Sequence, residues 1–174
     1  DMYGSLLVEG GDTVAFVIND SGGEVASSNN FIDHADGSYT ASFSLTESGD
    51  YSVITTVNSV SIADSPWSLT VLSSATSPTL TQHSGLQTTL RAGELSTFTI
   101  QAFDEFNNAN TEGAVGAEFS ARMDGTDVAI SHVSLGEYSA TFGSGLRART
   151  EPIALSVFLG ITILEGFPVD ISVT

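Results

Sequence analysis

HADGSYTASFSLTESGDYSVITTVNSVSIADSPWSLTV, residues 34–71, decides the fold class. Tyr39, Ala41, Phe43 and Leu45 alternate with Ser and Thr, the period-two pattern of a strand with one buried face. After the polar turn Glu47-Ser48-Gly49-Asp50 the alternation resumes at Tyr51, Val53, Thr55 and Val57. A third run, Trp67, Leu69 and Val71, follows Ser65-Pro66. Strand, short turn, strand, longer turn and strand describe an antiparallel meander.

Composition extends that reading outward. The chain has 174 residues, room for one large domain or two of ordinary size. Turn residues recur at short intervals among Ser, Thr and Val, which favours an all-β sandwich. No window carries a helical apolar repeat, and no apolar run reaches the length of a membrane-spanning helix. Twenty-one acidic residues face four basic ones, all arginine (Arg91, Arg122, Arg147 and Arg149), for a formal charge of −17. Such a surface repels nucleic acid and anionic lipid, so neither is an expected partner. The absence of cysteine removes disulfides, thiolate chemistry and Cys-zinc sites.

The motifs Asp36-Gly37-Ser38-Tyr39, Gly49-Asp50-Tyr51 and Ser65-Pro66-Trp67 stand in order. In that order and spacing they resemble the end of a filamin-type immunoglobulin-like repeat. A second set of anchors lies about one hundred residues on. Gly37–Phe43 aligns with Gly136–Phe142, Asp1-Met2-Tyr3-Gly4 with Asp104-Glu105-Phe106-Asn107, and Pro66–Val71 with Pro168–Val173. The resemblance therefore implies tandem immunoglobulin-like (filamin-type) β-sandwiches. Residues 1–72 form a copy without its first two strands, A and B; 73–78 are a short linker; 79–174 form a complete copy. The first copy is expected to leave a sheet edge and half a core uncovered.

In the first copy, 13–18 is the expected strand C, 19–23 a turn and 25–32 strand D. In the second, strands are expected at 79–83, 96–103, 116–122, 127–133, 137–142, 153–159 and 167–174. The second copy departs from the family pattern at Leu135-Gly136, at 143–149 and at Gly166-Phe167-Pro168.

No constellation of residues carries enzyme chemistry. His34, His83 and His132 fall in three separate segments, there is no nucleophile elbow, and the paired glycines lie in turns of a β domain. No cofactor is expected. The acidic groups Asp104, Glu105 and Glu112, and Asp33 with Asp36, are weak calcium candidates, because calcium needs six to eight converging oxygens. Side chain to backbone bonds that tie the loop are the favoured role. Asn19-Asp20-Ser21 is the single N-x-S/T sequon, a candidate glycan site on an expected turn if the chain is secreted.

Filamin-type repeats act as rod segments and docking modules, and partners add a strand beside strand C. The resemblance thus implies partner-binding edges at Thr13, Ala15 and Val17, and at Ala117, Phe119 and Ala121. The expected function is a non-enzymatic structural or adhesion segment of a longer protein, extracellular or at the cell surface. Its partners would be proteins or neighbouring copies, through strand addition or end-to-end packing. The alternatives are an intracellular cytoskeletal or ciliary scaffold and a calcium- or carbohydrate-binding accessory module. The last would need an exposed aromatic platform, whereas the aromatic residues fall mostly on expected inward positions.

Overall fold

The computed structural model describes residues 8–111 and 119–174. The described residues contain strands, turns and loops, with no helix. The chain divides into two compact units, Asp1–Leu72 and Ser73–Thr174.

The first unit contains β1 (Val14–Asp20), β2 (Gly23–Ser28), β3 (Ile32–Asp33), β4 (Tyr39–Thr40), β5 (Gly49–Val57), β6 (Val60–Ser61) and β7 (Trp67–Val71). Its main sheet is antiparallel. β5 lies between β1 and β7, β2 flanks β1 on the other side, and β6 pairs with the end of β5. β1 and β2 form a tight hairpin whose turn is fastened by Asp20, with Oδ1 accepting from the Gly22 and Gly23 amides at 2.7 and 2.9 Å. Val14, Phe16 and Ile18 point inward, and Ala15 and Val17 outward, as the alternation requires. Phe16, Ile18, Tyr51 and Val53 are the buried centre of this unit, with Phe31, Ala41, Leu45, Leu69 and Val71 packed around them.

Tyr51 anchors the turn that precedes its own strand, donating its hydroxyl to the Glu47 carbonyl at 2.6 Å. Burial, then the nearby Glu47 and Asp20 carboxylates, push its pKa upward. Tyr51→Phe keeps the ring and removes this bond, so a loss of about 1 kcal/mol is expected. The check is the urea midpoint of the first unit's transition, followed through Trp67 fluorescence.

Two expectations for this unit are corrected. Residues 25–32 do not form one strand D: Gly23–Ser28 pairs with β1, and only Ile32–Asp33 pairs with β4. The expected strand Tyr39–Leu45 is regular only over Tyr39–Thr40. Among the described residues no strand lies alongside 41–45, and alternation without a neighbour makes no ladder. In consequence Phe43 and Trp67, both expected inward, are 45 % and 43 % exposed.

The second unit contains β8 (Gln82–Ser84), β9 (Thr89–Leu90), β10 (Ser96–Gln101), β11 (Phe119–Met123), β12 (Thr126–Ser134), β13 (Glu137–Phe142), β14 (Ile153–Leu159), β15 (Thr162–Ile163) and β16 (Val169–Val173). Its strands follow the order β8-β10-β13-β12-β11-β14-β16-β9, with β15 beside β14. β12 joins the two halves: Thr126–Val128 pair with β11, and Ala129–Ser134 pair with β13. β9 runs parallel to β16 through Thr89 and Leu90; sequence alternation did not signal this two-residue strand. The core interleaves Phe98 and Ile100 with Tyr138, Ala140 and Phe142 across one ladder, with Ala102 buried just beyond its end. Ala121, Met123, Leu155, Val157, Ile171 and Val173 come from the other half.

Candidate functional site

The strand edges named in the sequence are mostly occupied. β2 covers β1 from Phe16 to Asp20, while β5 lies along its other side from Val14 to Asn19. Only Val14 and Ala15 extend beyond the hairpin on that edge, next to a shallow groove formed with Val17, Ser27, Ser28 and Asn29. Thr13 is engaged with Asn58, whose side chain accepts its amide at 3.0 Å and whose own amide donates to its carbonyl at 2.8 Å. In the second unit β12 covers β11 from Ala121 onward, leaving Phe119 and Ser120. Two residues are too few for the ladder of an added strand, so Ala15, Val17, Phe119 and Ala121 do not form the continuous open edge expected of them. The side chains add a second correction. Ala121 is 2 % exposed and sits in the core, and the Phe119 ring packs edge-on against Tyr138 at 4.7 Å. Ala117 and Glu112 lie outside the described residues.

Asn19 is not on the turn. It is the penultimate residue of β1, opposite Ser52 and Glu24 at a bulge, and its side chain shares the half-buried outer face with Ala15 and Val17.

Around Asp104 a folded-back loop takes the place of a cation site. Oδ1 accepts the Phe106 and Asn108 amides at 2.9 Å each, and Oδ2 accepts the Ser74 amide at 2.8 Å and Asn108 Nδ2 at 2.9 Å. A carboxylate offers about four acceptor sites, and here all are filled by N–H donors. The side chain therefore has no lone pair to offer a metal. Burial would raise the Asp104 pKa, but the bonds from Asn108, Ser74 and Phe106 outweigh it and lower the value from 3.8 to about 2. The same loop holds residues 74–77: the Ser77 amide donates to the Phe103 carbonyl at 2.7 Å, and Asn110 Nδ2 donates to Thr76 Oγ1 at 2.6 Å. The segment read as a linker thus bonds into the second unit through Ser74, Thr76 and Ser77.

Asp33 and Asp36 are likewise committed to turns. Asp33 accepts the Gly11 and Ala35 amides, and Asp36 accepts the Ser38 amide and hydroxyl, which lower its pKa. The histidines stay apart: His34 bonds Thr40 Oγ1, His83 lies against Phe167 and His132 against Tyr138. Among the described residues no three His, Asp or Glu side chains gather as a metal site would need.

The feature that sequence reasoning did not locate is an apolar groove in the first unit. It has a volume of about 150 Å³ and is lined by Phe16, Phe31, Ala41, Phe43, Val53, Thr55 and Trp67. Phe16 touches Phe31 edge-on at 6.0 Å and Phe43 at 5.5 Å, so the groove floor is aromatic. The signal available was the expected uncovered core, but its position depended on which alternating segment lost its neighbour.

No family model matches the chain, and no match was found among curated proteins. Solved structures do match. The FdeC adhesin of Escherichia coli superposes with a TM-score of 0.64 at 21 % identity, over 99 % of this chain and 55 % of that one. Invasin, described as a bacterial integrin-binding protein, gives 0.66 at 18 % identity, over 100 % of this chain and 34 % of that one. The Lin-41 filamin domain overlaps 58 % of this chain at 0.46 and 11 % identity. The chain spans about half the length of the adhesin structure and about a third of the invasin structure. With its pairing order and its full-length likeness to the first two, the chain is an all-β protein of immunoglobulin-like fold.

Proposed function

We propose that this chain is a non-enzymatic structural and adhesion segment of a longer protein at the cell surface, acting as a spacer and docking protein partners. The observation that carries the reading is the likeness of the whole chain, both units included, to an adhesin and an integrin-binding protein. Charge agrees with it, since a segment of net −17 stays soluble and resists association with its own kind. The saturated Asp104 and the turn-bound Asp33 and Asp36 give the calcium-module alternative no support. Surface placement would also make Asn19 an acceptor for a glycan on the outer face of β1.

The test is replacement within the parent polypeptide displayed on its host cell. Deleting the segment is expected to reduce attachment to protein-coated surfaces at least tenfold. An unrelated immunoglobulin-like pair of the same length restores the part that is due to reach, and the remainder measures docking. Attachment unchanged by the deletion would overturn the proposal.

A further inference from the structure

We infer that the outer face of β14 in the second unit is a docking groove for a polypeptide partner: an extended segment with one isolated carboxylate among apolar residues, seated against Arg122 and Arg149. This deepens the docking part of the proposed function and rests on it for the nature of the partner, but it has its own readout in solution.

Positive charge is concentrated in one place. The first unit has no lysine or arginine, and all the arginines of the chain, Arg91, Arg122, Arg147 and Arg149, belong to one end of the second. The pairing register brings them there. Arg91 follows Leu90, which lies opposite Val173, and the Arg149 amide donates to the Val173 carbonyl at 3.1 Å. The Gly93 amide donates to the Leu146 carbonyl at 2.9 Å, which joins the Arg91 turn to the loop that holds Arg147. Arg122 precedes Met123, the last residue of β11, which is paired with Thr126 and Leu155 at that same end. Charge balance alone would have spread arginines among the carboxylates of both units.

Arg122 and Arg149 flank one groove of about 380 Å³. Its floor is the outward row of β14 and the residue before it, Pro152, Ala154, Ser156 and Phe158, and the small side chains at 154 and 156 leave a trough between the larger ones. That row spans roughly 20 Å, the reach of about six residues of an extended segment. Each arginine is oriented by one carboxylate: Arg122 Nε donates to Asp127 Oδ1 and Arg149 Nη1 to Asp124 Oδ2, both at 3.0 Å. The two arginine side chains are 67 % and 40 % exposed, so these pairs contribute little to stability, and among the described residues the rest of each fork has no partner. A guanidinium fork held in place matches an incoming carboxylate with parallel N–H donors. Asp124 and Asp127 set the limit on the ligand, since they repel a run of acidic residues far more than a single one. The net charge of −17 is screened beyond about 8 Å at physiological salt, which leaves the local arrangement to govern contact. A sugar acid fits less well: Ser156 is the one hydroxyl of the lining, and its one aromatic ring, Phe158, is half-buried.

The experiment uses the whole 174-residue protein, isotope-labelled for NMR, and the capped synthetic peptide GLVEFG. With four arginines and no lysine, each guanidinium is read separately through its own Nε–H signal. The expected result is a saturable shift of the Arg122 and Arg149 signals and of the 154–158 amides, at one peptide per chain. The same peptide with glutamine in place of glutamate binds roughly tenfold or more weakly, and so does the parent peptide to an Arg122→Gln, Arg149→Gln double variant, tenfold being about 1.4 kcal/mol. Arg91→Gln with Arg147→Gln, at the same end but outside the groove lining, leaves binding unchanged. Equal binding of the glutamine peptide, shifts spread evenly over the four arginines, or no shift at all overturns the inference. So does a shift of the Arg122 and Arg149 signals produced by a sulfated disaccharide and not by the peptide, since the groove would then take a glycan. Attachment lost on deleting the segment, with no peptide shift, sinks the groove and leaves the adhesion reading standing; a peptide shift with attachment unchanged does the reverse.

Discussion

Replacing Asp104 with alanine is expected to destabilise the second unit by about 3 kcal/mol or more, because hydrogen bonds to a charged acceptor contribute about 1.5–3 kcal/mol each and their loss leaves buried donors without partners. The Ser74, Phe106 and Asn108 amides and Asn108 Nδ2 all lose their acceptor together. Three of the donors belong to one loop and the fourth to a segment thirty residues earlier, so the mutation both loosens the loop and releases residues 74–77. In a unit of this size such a loss lowers Tm by roughly 12–24 °C. Asp104→Asn keeps the shape and one carbonyl acceptor, but turns the other oxygen into a donor facing N–H groups, and falls between wild type and alanine. Calorimetry of the full chain measures both. A change under about 0.5 kcal/mol for the alanine variant, the range of ordinary surface substitutions, would show that the loop does not depend on this carboxylate.

Acid pH makes the same point by another route. The folded-state pKa of Asp104, about 2, lies below its ordinary value of 3.8. A lowered folded pKa means that the unfolded chain binds the proton first, so the carboxylate's contribution is complete above pH 3.8 and is lost as pH falls through about 2. Wild type should therefore lose stability more steeply than Asp104→Ala across that interval, and the two curves should converge below it. The remaining carboxylates add a background common to both proteins, which the difference removes.

The legible part of this fold was the part in which alternation and neighbours coincide. Residues 137–142 and 153–159 read as strands and are strands with those ends, each paired on both sides. Tyr39, Ala41 and Phe43 carry the same pattern as Tyr138, Ala140 and Phe142, yet only two residues there form a bridge. Period-two spacing states which face is apolar; it does not state whether another strand stands alongside. The same gap explains the docking edges. Spacing placed the first strand C within a residue of where it begins, but the hairpin partner that closes its edge depends on where the chain goes after the Ser21-Gly22 turn. Ala121 faces inward with Met123, the phase opposite to that of an exposed contact residue. For Asp104 the Asp-Asn composition of the loop pointed to side chain to backbone bonds, and these are present. The Ser74 amide was beyond local reading because it arrives from thirty residues away.

The two units are expected to differ most when separated. Residues 73–174 alone should unfold in one cooperative transition, whereas residues 1–72 alone should show no cooperative thermal transition as a monomer. The second unit's core cluster includes sixteen buried side chains among the described residues, drawn from both halves of its sheet. The first unit's cluster holds four, all from β1 and β5, and the opposite side of those strands meets an irregular 41–48 segment and a groove. A domain of about 60 residues is marginal even with an intact core, because it buries a smaller share of its surface than a larger one. Here Phe43, Trp67 and Ile32 also remain in contact with water, at 45 %, 43 % and 64 % exposure. Their unrealised burial is the kind of term, about 1.5–3 kcal/mol per large side chain, that decides stability in small domains. Hydrogen exchange on the full chain resolves the contrast without cutting it: amides of 41–45 should exchange with little protection, and those of 138–142 only through opening of the second unit. Cooperative unfolding of the isolated 1–72 monomer, or equal protection of the two segments, would mean that the first unit covers its core in a way its described strands do not.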